Sequence, residues 1–148
     1  IIYAHNLSNV DLRAILDFHH AHGDPMTMML FHTDHPERCG IARLNADNQI
    51  IEFVEKPKHD MGHLANAGLY ALTAGAYHEM ADMSKFDLGF YVLPKFVGRM
   101  RGWVFDGYHR DIGTLESLEQ ATLDAPGIFS FSGRTRAARP DTPHKCGR

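Results

Sequence analysis

Residues 1–32, IIYAHNLSNVDLRAILDFHHAHGDPMTMMLFH, read as a strand, a helix and a second strand. Residues 1–4 form a short apolar run. In residues 8–23, Leu12, Ile15 and Leu16 fall at i, i+3 and i+4, with Phe18 three beyond Ile15, so the pattern predicts one broad apolar helix face. Ser8 or Asn9 can cap its start, Asp11 favours the first turn, and Gly23 ends it. Residues 26–32 are continuously apolar and short enough for a central strand covered on both faces.

The same alternation continues outward. Residues 40–57, GIARLNADNQIIEFVEKP, carry a hairpin signal, two strand-like runs around NADNQ, with Pro57 closing the second. Residues 65–72 read as a strand and 75–83 as a short helix. Residues 86–100 offer a second helix that Pro94 starts or kinks. Residues 102–108 read as a strand, and 114–125 as a helix capped by Thr114 with Glu116 in its first turn. Alternating strands and helices predict a layered α/β domain over residues 1–125. Residues 126–148 have little apolar patterning and many turn formers, the composition of a disordered tail that lacks stable packing from about Gly127 onward.

Composition narrows the function classes. The 148 residues are 44% hydrophobic and 22% charged, ordinary for a soluble domain with a real core. No apolar run approaches the ~20 residues of a membrane span. Cys39 and Cys146 stand far apart in no metal or disulfide spacing, which suits a reducing, cytoplasmic compartment. Residues 126–148 carry net +4 and residues 1–125 net −7, so the main body offers no basic surface for nucleic acid.

Three short motifs can carry chemistry. In FVEKP, residues 53–57, Glu55 and Lys56 sit side by side at a strand end, where layered α/β proteins gather ligands. Lys56 can hold a phosphate, and Glu55 can accept hydrogen bonds from hydroxyls. The same pair also suits a solvated turn. In HRDIGT, residues 109–114, Asp111 precedes a turn into a helix, a place for a divalent metal near a phosphate or, equally, for a helix cap. In NAGLY, residues 66–70, Asn66 offers a donor and an acceptor, and Gly68 allows close approach of a ligand or of a crossing helix. The eleven histidines include a cluster at His19, His20 and His22 and a pair at His32 and His35, without any zinc-site spacing.

Taken in order, these pieces resemble the second part of a sugar-phosphate nucleotidylyltransferase, an NDP-sugar pyrophosphorylase. The resemblance covers roughly residues 1–122 and is nearest to the mannose-1-phosphate or heptose-1-phosphate guanylyltransferase type. It implies a three-layer Rossmann-like fold with a mixed sheet, and transfer of a nucleotidyl group from a nucleoside triphosphate to a sugar 1-phosphate with Mg²⁺. It also implies roles: Glu55 on sugar hydroxyls, Lys56 on the sugar phosphate, Asn66 and Gly68 lining the sugar pocket, and Asp111 as one of two metal-binding aspartates.

Two departures shape the expectation. The family's glycine-rich loop ending in Arg-Leu-x-Pro would lie upstream of Ile1, so the chain resembles a fragment whose amino-terminal nucleotide-binding half is missing. At the first metal-binding aspartate stands His5, and imidazole suits later transition metals better than Mg²⁺. The expectation is therefore a domain whose parent activity is nucleotidyl transfer, inactive alone, with uncovered edges that favour self-association. The alternative is a non-catalytic sugar-phosphate-binding or regulatory module of the same fold.

Overall fold

The structure is a computed structural model that describes residues 1–84 and 87–129. Among the described residues, seven strands and four α-helices follow one another as β1 (Asn6–Ser8), α1 (Leu12–His22), β2 (Met26–His32), β3 (Gly40–Leu44), β4 (Ile50–Glu55), β5 (Leu64–Leu72), α2 (Ala74–Ala81), α3 (Leu93–Phe96), β6 (Met100–Val104), β7 (His109–Asp111) and α4 (Leu115–Ile128). A five-stranded sheet has the order β4-β3-β5-β2-β6, and β1 and β7 form a separate two-stranded ribbon. Within the larger sheet β2 and β6 run parallel and the other pairs antiparallel, so the sheet is mixed, as expected.

β2 lies between β5 and β6 and is buried from Met26 to Leu30. Its alternation builds two cores. Met26, Met28 and Leu30 pack with Met80 of α2 and with Val92, Leu93 and Phe96. On the opposite face Met29 meets Ile15 of α1, with Ala67 and Leu69 of β5. Helices thus cover both faces and make the three layers.

Some local readings need correction. Residues 1–4 form no strand. Ile2 makes an isolated bridge to Leu69, Ile1 exchanges backbone hydrogen bonds with Tyr70, and the regular strand begins at Asn6. The edge of β5 beyond Ala65 is open to these residues, but Gly68 in it has a left-handed φ of 68° where the strap meets it, and the contact stays a short strap. In α1 the N-cap is Asp11, which accepts from Arg13 N at 2.8 Å, and Gly23 ends the helix in the left-handed region. Leu12 and Leu16 are exposed, and the buried positions are Ile15 and His19. The segment before Pro94 is a π-helical turn, Leu88–Val92, that passes into α3. α4 runs on to Ile128, three residues past the boundary at 125, and the tail residues 130–148 lie outside the described residues.

His19 is buried because it has a partner. Its Nδ1 lies 2.9 Å from Thr27 Oγ1, and His22 Nε2 lies 2.7 Å from the same oxygen. Asp24 N–H donates to His22 Nδ1 at 2.9 Å, which puts the proton of neutral His22 on Nε2. The network then assigns one direction: His22 donates to Thr27, and Thr27 donates to His19.

Protonation of either ring disrupts that chain. Burial depresses both pKa values; His22 and His20 add to the depression at His19, while Asp24 opposes and Arg101 adds to it at His22. With folded values below the ordinary ~6.5, this stabilisation is present above that pH and is lost as pH falls toward the folded values. The melting temperature should therefore drop between pH 7.5 and 5.5, and His19→Gln should flatten that slope. An unchanged slope in the variant would refute the assignment.

The described surface also leaves Ile2 and Leu12 exposed around an apolar groove of about 200 Å³ lined by Val10, Met29 and Leu69, with Leu16 exposed one turn along α1. Sedimentation at rising concentration is expected to show self-association, weakened by Leu12→Gln/Leu16→Gln; a monomer at all concentrations would exclude it.

Candidate functional site

The loops at one end of the sheet meet the β1–β7 ribbon around an open cleft of about 490 Å³. Its residues arrive by separate routes. The β3–β4 hairpin places Glu55 opposite Gly40. The ladder stops one residue later. Lys56 takes a left-handed φ of 50° and donates its N–H to Cys39 O at 2.9 Å, and Pro57 has no N–H to offer. The Lys56 side chain is exposed and makes no ion pair among the described residues.

β5 supplies Asn66 and Gly68 at an irregularity. Its register against β2 shifts between the Met28–Tyr70 and Leu30–Asn66 pairs, and Gly68 there has φ of 68°. Asn66 Oδ1 accepts from Gly68 N at 2.9 Å, and its Nδ2 donates to Tyr70 Oη at 2.7 Å. One donor hydrogen and one lone pair of Asn66 remain for another group. The space beside Gly68 is taken by Tyr3 and Asn6: a Cβ there would fall 2.5 Å from the Tyr3 ring. The close approach that Gly68 permits is therefore of the chain's own first residues, while its backbone lines the cleft.

β7 ends at Asp111. The carboxylate does not cap α4, since Thr114 does so by accepting from Ser117 N at 3.2 Å. Asp111 Oδ1 accepts from Gly113 N at 2.7 Å, and Oδ2 lies 3.8 Å from His5 Nε2. Both side chains are open to solvent, 67% and 54% exposed. Ile112 N donates to His5 O at 2.8 Å and locks the two strand ends together.

All six residues singled out in the sequence, His5, Glu55, Lys56, Asn66, Gly68 and Asp111, thus line one cleft. Sequence reading missed Arg38, Asp87, Gly89 and His109, which share it. Asp87 and Gly89 belong to the π-helical turn, whose hydrogen-bond spacing no residue pattern announces. Burial pushes the Glu55 carboxyl above the ordinary range; Lys56 pulls it down and Asp87 pushes it up. Burial likewise raises the Tyr70 phenol, leaving it a neutral donor and acceptor beside Asn66. His109 packs its ring 4.7 Å from Phe31, its Nδ1 is buried without a hydrogen-bond partner, and burial lowers its pKa while Asp111 opposes the shift.

Residues 1–126 match the family model described as Nucleotidyl transferase. The chain belongs to this family, that of the sugar-phosphate nucleotidylyltransferases. It is 33% identical over 135 residues to a glucose-1-phosphate adenylyltransferase of Desulforamulus reducens, covering 84% of this chain and 34% of that protein. It is 32% identical over 135 residues to the Clostridium beijerinckii protein of the same name, covering 84% and 35%. A structure from Bacillus anthracis, provisionally assigned as a glucose-1-phosphate thymidylyltransferase and solved with sucrose, shares the fold with a TM-score of 0.73 at 24% identity, over 86% of this chain and 54% of that one. The chain spans about a third of the length of these adenylyltransferases.

The Mg²⁺ implied by the resemblance meets a mixed donor set here. Asp111 Oδ2 is an oxygen donor suited to it; the His5 imidazole is not, and Mg²⁺ favours oxygen in near-octahedral geometry. The pair does not fit a two-carboxylate magnesium site. His5→Asp should tighten Mg²⁺ binding roughly tenfold or more in a direct calorimetric titration. Equal affinity in the two proteins would remove His5 as the cause of a weak site.

Proposed function

We propose that the cleft is the sugar-1-phosphate subsite of a nucleotidylyltransferase. The observation that carries this reading is the convergence of Glu55, Lys56, Asn66 and Asp111, from three strand ends and the turn after β4, on one open cleft. The chemistry follows from the donors. Lys56 neutralises the phosphate of the sugar 1-phosphate as a compact cation. Glu55 accepts from sugar hydroxyls, and Asn66 adds one donor and one acceptor. In the parent reaction a phosphate oxygen of the sugar 1-phosphate attacks the α-phosphorus of a nucleoside triphosphate in line. The new P–O bond forms as the bond to the β-phosphate oxygen breaks, and pyrophosphate leaves. Such chemistry needs positioning and charge neutralisation, with no protein nucleophile.

The chain by itself is proposed to bind without turning over. Its 148 residues include no glycine-rich loop ending in Arg-Leu-x-Pro to cradle a triphosphate, and His5 replaces a carboxylate. Loss of one preorganised electrostatic group commonly costs ~10²–10³ in rate. The same imidazole favours the second reading, a sugar-phosphate-binding or regulatory module that never catalysed with Mg²⁺. A cytoplasmic location is part of the proposal and rests on the sequence: Cys39 and Cys146 stand far apart in no disulfide or metal spacing, which suits a reducing compartment.

Glucose 1-phosphate is the first ligand to test, from the relatives' names, and mannose 1-phosphate and heptose 1-phosphate follow from the sequence resemblance. Calorimetry on the purified chain is expected to detect binding of at least one, weakened roughly tenfold by Lys56→Ala, as loss of a charge-assisted contact implies. Pyrophosphate release with ATP, GTP or dTTP is expected to be absent. Failure to bind any sugar 1-phosphate would sink the proposal. Turnover by the unmodified chain would sink the inactive-fragment part.

A further inference from the structure

Glu55 is pressed between two glycines. A Cβ on Gly40 would fall 2.6 Å from Glu55 Oε2, and one on Gly89 would fall 2.5 Å from the same oxygen and 2.8 Å from Cδ. Gly40 is the ladder partner of Glu55 across the hairpin and is also crowded by Phe53. Gly89 comes from a different element, the π-helical turn Leu88–Val92. Asp87 caps that turn by accepting from Phe90 N at 2.9 Å, and Asp87 O accepts from Val92 N at 3.1 Å, the wide i+5 closure.

Two observations separate Gly89 from an ordinary turn glycine. Its φ is not positive, so its backbone conformation is open to any residue, and the contact with Glu55 is what excludes a side chain. Among the described residues the Glu55 carboxylate accepts no hydrogen bond; the two glycine backbones bound the space of its oxygens, which face a polar cleft with Lys56 and Asp87 nearby.

We propose that Gly89 is a positioning residue: the π-helical turn sets its bare backbone against Glu55 and so fixes the carboxylate as an acceptor for sugar hydroxyls. This rests on the reading of the cleft as a sugar-1-phosphate subsite. Discrimination among sugars then depends on residue 89 through the carboxylate it seats. A methyl group at 89 drives the Glu55 carboxylate away from its seat and toward solvent.

The test is Gly89→Ala in the full chain, with two readouts. Carboxyl-carbon NMR follows the Glu55 titration, which burial holds high; displacement toward solvent should bring it down toward ~4.3. Calorimetry with glucose 1-phosphate should show affinity falling about tenfold, while inorganic phosphate, which reads Lys56, binds as before. An unmoved Glu55 titration overturns the proposal. So does equal loss of both ligands. If the parent chain binds no sugar phosphate yet the titration moves, the cleft's assignment fails and the positioning contact stands. Should Gly89→Ala fail to fold, Gly89→Ala/Glu55→Ala decides: alanine at 55 removes Cγ, Cδ and both oxygens, and with them the atoms that lie 2.5, 2.8 and 3.1 Å from the added methyl. Refolding of the double variant supports the contact; its failure shows that Gly89 serves backbone packing and overturns the proposal.

Discussion

The seating of Tyr3 on Gly68 holds the two sheets of this protein together. Tyr3 N–H donates to Gly68 O at 2.9 Å, and its ring occupies the space that any Cβ at 68 would fill. Asn6 reinforces the join by donating from Nδ2 to Ala67 O at 2.7 Å. Because the first residues are strapped to β5 in this way, β1 emerges beside β7, and Asn6 pairs with Asp111. The cleft lies between the sheet that carries Glu55 and Lys56 and the ribbon that carries His5 and Asp111. A side chain at 68 would push the strap off β5 and separate those two halves.

Electrostatics in the cleft depend on the same packing. Lys56 stays exposed because its left-handed turn throws the side chain out of the ladder, whereas Glu55, one residue earlier, is held within it. Adjacent residues of opposite charge thus meet different dielectric surroundings. The cation keeps its hydration and can exchange water for phosphate. The carboxylate is partly desolvated, which favours hydroxyl donors as partners. Asp111 differs again: one oxygen is committed to the Gly113 amide, and the other is free toward His5.

Local pattern was legible where one physical rule dominated. The mainly apolar run at Met26–His32 demanded cover on both faces and became the central strand. Thr114 and Gly23 stand at helix ends because their side-chain oxygen and missing Cβ suit those positions. Pattern failed where a tertiary partner decided. Apolar spacing put Leu12 and Leu16 inside α1's buried face, yet His19 is buried there, since Thr27 satisfies its ring nitrogen. Residues 1–4 have strand composition but form only a strap, where the edge of β5 is interrupted by the left-handed Gly68.

The sequence by itself determined the α/β class, the order of elements from α1 to β6 and the places of the short polar motifs, because residue type, side-chain period and turn formers act over a few neighbouring residues; it placed the first strand too early and left β7 out. Only the tertiary structure decided that Glu55, Lys56, Asn66, Asp111 and His5 share one cleft, that Asn66 is half engaged by Tyr70 and Gly68, and that Gly89 abuts Glu55. Those contacts join residues far apart in the chain through strand pairing, a register shift in β5 and a π-helical turn. Each is set by the packing of the whole sheet rather than by the preferences of the residues that form it.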